Sequence, residues 1–396
     1  MKITTLLLTF LIAGTLMAKD EISFFHYNIK ELDSTKLNKS NEQIKAVKEI
    51  INKYDFDLFS LNEVQYDFPS VPDSSFKTKG KNLHKIKSLL NLHKHNFSSF
   101  DPANTGLNAK PNHNGEYFIK PNTPEARKNA DQINFGTLPG QYSSGLLSKK
   151  KIIGKKVFSK IKWKDFNPQA DFSKFRTAQG KPYPEDAELF DKNFSDITIS
   201  LNSKEVHIII LHTVPSFHFG NMSTPNYQRN KDQLRFLEWY LTGSTDIKVS
   251  LPGVTPLKKD AYFIAAGDWN TAFSSIENPG SEILRRLDLK AKFWKDPKSF
   301  SFTNEGGGFG KKPLRLMLDY ILVSKNIEVL EANIIHPVFK RTQLGCKKRP
   351  TPTSNTEVLV SWSEKGKTCY ALVDPSDKVF KAASDHYPLY GKFRLK

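Results

Sequence analysis

Hydrophobic and polar positions change their period along this chain, and the changes locate its elements. "ISFFHYNI" is an unbroken apolar and aromatic run that ends at Asn28, the pattern of a buried strand. "SNEQIKAVKEIINKY" then sets Ile44, Val47, Ile50 and Ile51 at helical spacing behind Ser40, a good N-cap residue, and predicts an amphipathic helix. "FDLFSLNEV" returns to a buried strand, and "KNLHKIKSLLNLH" reads as a second helix. Strand, helix and strand in this succession predict a βαβ-like opening and a layered α/β architecture.

Between residues 101 and 142 the periodicity is lost. "DPANTGLNAKPNHNGEYFIKPNTPEARKNADQ" is rich in Asn, Pro and Gly and predicts a long irregular excursion within the domain. Loops of that length in a compact domain are usually functional or disordered. A second excursion covers roughly 162–192, with Pro168, Pro182 and Pro184. Between the two, "SSGLLS" and "KKVFSKI" predict strands. From residue 194 the strands "FSDITISL" and "EVHIIILH" follow in quick succession. After them comes the helix "NYQRNKDQLRFLEWYL", with Leu234, Leu237, Trp239 and Leu241 as core contacts. Then come "AYFIAAGDWN", a helix near "SEILRRLDL", the strands "MLDYILVS" and "VLEANII", and a closing "DHYPLYGKFRL". No internal repeat, low-complexity tract or shift in composition marks a boundary, so residues 19–396 read as one domain.

The first 18 residues stand apart. Lys2, an apolar run of about a dozen residues and small residues up to Ala18 outline a secretory signal peptide, the rival reading being a buried N-terminal helix. Leu16 sits where a small residue is preferred, and no Cys lies nearby to carry a lipid. The expectation is export to the periplasm or beyond it. No later segment has the apolar length of a membrane span, so the mature protein is expected to be soluble. Cys346 and Cys369 are the two cysteines; in an oxidising compartment they predict a disulfide, and otherwise two buried thiols. With 38% hydrophobic and 25% charged residues the chain can bury a sizeable core. Its net charge of +18 favours anionic partners such as nucleic acid, phosphorylated metabolites or anionic lipid. The lysines are scattered, however, and form no long basic tract.

Candidate chemistry gathers at the strand ends. Asn28 closes the first strand, Glu63 closes "LFSLNEV", His212 closes "VHIIILH", and Asp268 with Asn270 close "YFIAAGDWN". Asp319 lies in "LMLDYILV", and Asp385 with His386 open the last strand in "SDHYPL". Each alone has an ordinary reading. Asn and Asp at strand ends form turns by bonding nearby backbone, Glu63 could be a solvated carboxylate, and His212 a satisfied core histidine. Asp319 resists such a reading, because a carboxylate flanked by Leu318 and Tyr320–Val323 is costly to bury unless paired or metal-bound.

Taken together and in order, "HYNI", "LFSLNEVQ", "LLS" at 146–148, "LHTVP", "AAGDWN", "LDYILVS" and "SDHYPL" resemble the endonuclease/exonuclease/phosphatase family, the fold of deoxyribonuclease I. "PANTG", "LPGQYSSGLLS" and "HTVPSF" are similar to a secreted bacterial branch of it. The resemblance implies a four-layer α/β sandwich, two mixed β-sheets face to face with helices on both outer faces. It also implies phosphoester hydrolysis with Mg²⁺, or Mn²⁺ or Ca²⁺ in its place. Asn28, Glu63 and Asp385 would be metal ligands. His386, held by Asp319, would contact phosphate or activate water. Asp268 would position or deprotonate the nucleophile, Asn270 would bond a non-bridging oxygen, and His212 would be a leaving-group acid. Tyr142 and Ser143 reach the phosphate or simply form a turn. Arg229 and Asn230 face the site from a helix N-terminus, or Arg229 faces solvent. The chemistry agrees: in-line displacement needs water activated on one side and a leaving group stabilised on the other.

Fold does not fix substrate. Export, positive charge and a second histidine favour a nuclease acting on DNA or RNA. The alternative is a phospholipid (sphingomyelinase-like) phosphodiesterase or small-molecule phosphatase, for which Phe217 and Phe219 in "SFHFG" are candidate contacts. A binding protein that keeps the scaffold without the activity is disfavoured by the complete set of acids, amides and histidines. No obligate protein partner is evident, and a monomer is expected.

Overall fold

The structure is a computed structural model that describes residues 20–72, 77–293, 302–306, 314–337, 346, 348–353, 357–364, 367–373 and 378–396. The expected signal peptide therefore lies outside the described residues, as does much of the Cys-bounded segment. The first half of the chain runs β1 (Glu21–Leu32), α1 (Glu42–Ile51), β2 (Leu58–Val64), α2 (Asn82–Leu89), β3 (Phe97–Asp101), α3 (Pro124–Asn129), β4 (Ser143–Ser148), β5 (Ile152–Val157) and α4 (Trp163–Phe166). It continues with β6 (Phe194–Leu201), β7 (Lys204–Leu211), α5 (Asn226–Thr242), β8 (Tyr262–Asp268), α6 (Pro279–Lys290) and β9 (Lys292–Phe293). The remainder is β10 (Asn304–Gly306), β11 (Leu314–Leu316), β12 (Asp319–Val323), β13 (Ile327–Ile334), β14 (Val358–Glu364), β15 (Lys367–Val373), α7 (Lys378–Ala383) and β16 (Leu389–Leu395).

Two six-stranded sheets form, ordered β13-β16-β1-β2-β4-β3 and β5-β6-β7-β8-β12-β9, with the ribbons β10-β11 and β14-β15 beside them. Both sheets are mixed: β1 runs parallel to β2 and β7 parallel to β8, and their other pairings are antiparallel. The apolar runs are continuous because both faces of the strands are covered. Ile208, Ile210, Ile264 and Ile321 share a core with β1 and β2 of the facing sheet. Their neighbours Ile209, Leu211, Phe263 and Leu322 pack beneath α5 and α6. Helix α1 covers the other outer face, so the expected four-layer sandwich is the fold.

Local details shift some boundaries. Asn41, not Ser40, caps α1 by accepting from the Ile44 N–H at 3.1 Å; Asn serves a cap as well as Ser, and the helix starts one residue later. The strand expected from "KKVFSKI" lies earlier, at Ile152–Val157. The last strand begins at Leu389, so Asp385 and His386 stand in the turn before it, where Pro388 offers no N–H to a ladder. Both long excursions are irregular apart from short helical turns, as expected. Cys346 and Cys369 are joined in a disulfide. Among the described residues no helix is long and apolar enough to cross a membrane.

Strand directions bring the loops of both sheets to one end. Strands β1, β2, β3, β5, β7 and β8 finish there, and β4, β6, β12 and β16 start there. Both excursions and the loops after β7 and β8 therefore emerge at the same end. One glycine is essential to this geometry: a Cβ on Gly267 would lie 1.6 Å from the Leu211 carbonyl oxygen, so only Gly lets β8 pass β7 as both strands end. Gly106, at φ +73, similarly lets the first excursion fold against Leu138.

Candidate active site

Asn28 bridges the two sheets. Its side-chain N–H groups donate to Glu63 Oε1 on β2 and to Asp268 Oδ2 on β8, each at 3.0 Å. The backbone N–H of Glu31 donates to Glu63 Oε2 at 2.9 Å. The pairing of β1 with β2 shifts register between Asn28 and Leu32, with Lys30 and Glu31 at φ 47 and 45. This bulge folds the chain back over Glu63. Glu63 at φ 63, Tyr142 at φ 62 and Asn270 at φ 48 are likewise in the left-handed region. Such strain, on the order of 1 kcal/mol or more per residue, gathers at functional sites.

Asp268 is held on every side. Its N–H donates to Asn62 Oδ1 at 2.9 Å, and its Oδ1 accepts from the Asn270 N–H at 2.9 Å. Asn62 in turn donates to Ser144 Oγ at 2.8 Å. Across the β8-β12 ladder Asp268 lies directly opposite Asp319. Two buried carboxylates in register repel one another, and His386 relieves the conflict. Its Nδ1 lies 2.7 Å from Asp319 Oδ2, while its Nε2 is 3.7 Å from Asp268 Oδ2. His212 Nε2 approaches the same Asp268 oxygen at 3.5 Å.

His26, which the sequence reading passed over, sits behind Asp319. Its Nε2 is 3.6 Å from Asp319 Oδ1, and its Nδ1 is 2.7 Å from Ser60 Oγ. Period-two alternation puts His26 on the same face of β1 as Asn28, and that was the signal available for it. Asn62 and Lys30 were also missed.

Burial and charge set the protonation tendencies. For His386 burial disfavours the charged ring, but the Asp319 and Asp268 carboxylates overcome it and lift the imidazole to about 10. Burial pushes Asp319 upward, yet the charge of His386 and bonds from His26 and His386 prevail and hold it below the usual range. Asp268 is raised, first by burial and then by Asp319, against the opposing charge of His386. Glu63 is raised by burial, with His386 opposing. Burial holds His212 well below its ordinary value.

The structure gathers Asn28, Glu63, His212, Asp268, Asn270, Asp319 and His386. Asn270 donates one side-chain N–H to the Thr213 carbonyl at 3.0 Å, which pins the loop after β8 to the loop after β7. Tyr142 is at the same end, with its hydroxyl donating to Glu31 Oε1 at 3.3 Å; burial, then Glu31, keeps that hydroxyl protonated far above its ordinary value. Ser143 forms the turn, bonding the Gly140 carbonyl and the Ala103 N–H.

Two expectations need correction. Arg229 faces neither phosphate nor solvent: all five guanidinium N–H groups are engaged, by the carbonyls of Ile133, Glu188 and Leu189, by Tyr183 Oη and by Asn134 Oδ1. It ties the two excursions to α5. Asn230 is likewise internal, donating to Thr213 Oγ1 and the carbonyls of Val214 and Trp269, so it supports the site loops from behind. Asp385 stands beside the cluster: it is paired with Lys30 at 2.7 Å, its charge acts on Glu63 and His386, and it lies outside both convergent trios of ionisable groups among the described residues.

Those trios are Glu63, His212 and Asp268, and Asp268, Asp319 and His386; in each, the ligand atoms lie within 4.8 Å of one another. The donor set suits a hard divalent cation, which takes one or two carboxylates and leaves its other positions to water and phosphate. Glu63 is half-buried and Asp268 buried, and neither has a Lys or Arg ion pair among the described residues.

Comparison with known proteins agrees with this geometry. The profile of the Endonuclease/Exonuclease/phosphatase family matches residues 25–386. A solved endonuclease/exonuclease/phosphatase from Beutenbergia cavernae DSM 12333 is 14% identical over 95% of this chain and 72% of its own, with a TM-score of 0.50. A family protein from Leptotrichia buccalis C-1013-b is 13% identical over 94% of this chain and 100% of its own, with a TM-score of 0.46. A sphingomyelinase C from Streptomyces griseocarneus is 13% identical over 94% and 99%, with a TM-score of 0.45. No curated protein sequence matches significantly. The fold, the strand-end constellation and the profile match lead to one conclusion: this chain belongs to the endonuclease/exonuclease/phosphatase family.

Proposed function

We propose that the protein is an exported, divalent-metal-dependent phosphodiester hydrolase. Members of its family are hydrolases of phosphoester bonds. The observation that carries the finer reading is the buried Asp319–His386 pair beside Asp268, with Asn28 and Glu63 completing the cluster. Glu63 and Asn28, with Asp268 adjacent, would hold the ion, whose charge would offset that of the phosphoryl group. His386, kept protonated between two carboxylates, offers its Nε2–H to a non-bridging oxygen. Asp268 accepts the proton of the attacking water, and its raised tendency to hold a proton suits it to that task. Asn270 gives its remaining amide proton to the phosphoryl group, and His212 bonds the leaving oxygen. Tyr142 reaches the phosphate by releasing Glu31. The signal-like first 18 residues and the Cys346–Cys369 disulfide support export.

Two substrates have support. The net charge of +18 favours nucleic acid. Apolar residues exposed on the site-end loops favour a phospholipid diester. The protein with Mg²⁺ or Mn²⁺ is expected to hydrolyse bis-p-nitrophenyl phosphate, and chelation to abolish the reaction. Activity undiminished after chelation would overturn the mechanism. Plasmid DNA, RNA, sphingomyelin and a phosphomonoester, compared at low and moderate salt, separate the substrates.

A further inference from the structure

Exposed apolar side chains are unevenly placed on this protein. Among the described residues ten large apolar side chains are exposed, and seven lie on the two excursions or the loops after β7 and β8, at the end that holds the site. Ile276 is 93% exposed, Met222 78% and Phe219 66%. The stretch from Thr213 to Gln228 contains no Asp, Glu, Lys or Arg, in a chain that is 25% charged overall. This loop is also well fixed. Asn226 Nδ2 donates to the Phe217 carbonyl at 3.1 Å, the His218 and Tyr227 rings lie 4.4 Å apart, and the Arg176 N–H donates to the Ser223 carbonyl at 2.9 Å. Phe219 itself sits at φ 49, an unfavourable conformation for an aromatic residue, which the loop nevertheless holds with the ring outward.

Soluble proteins seldom leave so much apolar surface at one end without a partner for it. Unpaired bases would stack on rings, but Met222 and Ile276, the most exposed of the set, are aliphatic. Aromatic and aliphatic residues mixed on an uncharged tip suit the headgroup–acyl boundary of a bilayer. The chain's positive charge supplies attraction to anionic headgroups. We propose that the loops at the site end form a lipid-docking face, on which Phe219, Met222 and Ile276 seat the protein on an anionic phospholipid bilayer with its hydrolytic site turned toward the headgroup phosphates. The substrate class that follows, phospholipid diesters, rests on the hydrolase reading above, whereas the docking itself does not.

Sedimentation of the full chain with equimolar phosphatidylcholine–phosphatidylserine vesicles tests the proposal. The wild-type protein is expected to pellet with the vesicles. The double variant Phe219→Ser/Met222→Ser, and separately Ile276→Ser, is expected to partition at least about tenfold less. Each variant should keep the wild-type circular dichroism spectrum and thermal midpoint, which establishes that it is folded. The proposal fails if the wild-type protein stays in the supernatant or if the variants pellet equally well. It fails too if the substitutions instead dissociate a dimer, or weaken only single-stranded DNA binding in a parallel assay. Wild-type inactivity on the soluble diester would remove the hydrolase reading and leave the vesicle result standing.

Discussion

His386 and Asp319 are placed by different elements, yet they form one hydrogen-bonded pair. The 2.7 Å contact at Nδ1 fixes which ring nitrogen faces the site. Asp319→Asn keeps the shape of the side chain but loses the charge that orients and protonates the imidazole. Its rate on bis-p-nitrophenyl phosphate should fall by roughly 10²-fold or more, as should that of His386→Ala, with unchanged circular dichroism. Wild-type rates in both would remove these residues from the mechanism. Arg229 has the opposite character. Arg229→Lys leaves several buried carbonyls without donors and should destabilise the protein by about 3 kcal/mol in chemical denaturation, with an unchanged KM. A raised KM with unchanged stability would restore the phosphate-binding role first expected of it.

Elements matter here through the places where they end. Strands β7 and β8 deliver His212 and Asp268 side by side because Gly267 admits the Leu211 carbonyl where any Cβ would collide. Gly267→Ala should therefore cost on the order of 3 kcal/mol or more, since both clashing partners are backbone of central strands. Urea titration measures this loss, and a destabilisation below about 1 kcal/mol would show that the strands can separate without penalty. The bulge after Asn28 plays a comparable part in the facing sheet, turning the Glu31 N–H onto Glu63.

Across the molecule, stability should depend on pH through histidines outside the cluster of Asp268, Asp319 and His386. Burial lowers His95 to about 4, and His336 to about 3. Both stay neutral in the folded protein, whereas an unfolded chain protonates them near pH 6.5. Stability is accordingly complete above about pH 6.5 and declines as pH falls toward 4, because the unfolded state binds the extra protons. His95 should account for about 2 kcal/mol of the decline. His95→Phe should flatten that part of the profile, and an unaltered slope would assign it to other groups.

Much of this protein could be read from its chain. Continuous apolar runs announced strands buried on both faces, and polar residues at their tips announced the site, because alternation, propensity and turn chemistry act over a few neighbouring residues. Asn28, Glu63, Asp268, Asn270, Asp319 and His386 were legible on that basis, helped by the order of their motifs. The fates of Arg229, Asn230 and Asp385 were not. Whether a polar side chain meets substrate or an internal partner depends on groups far away in sequence: the Ile133 carbonyl for Arg229, the Trp269 carbonyl for Asn230, Lys30 for Asp385. His26 gained its place behind Asp319 in the same way, through the packing of one sheet against the other. Local physics fixed which segments fold and where their polar ends lie, and long-range packing decided which of those ends face one another.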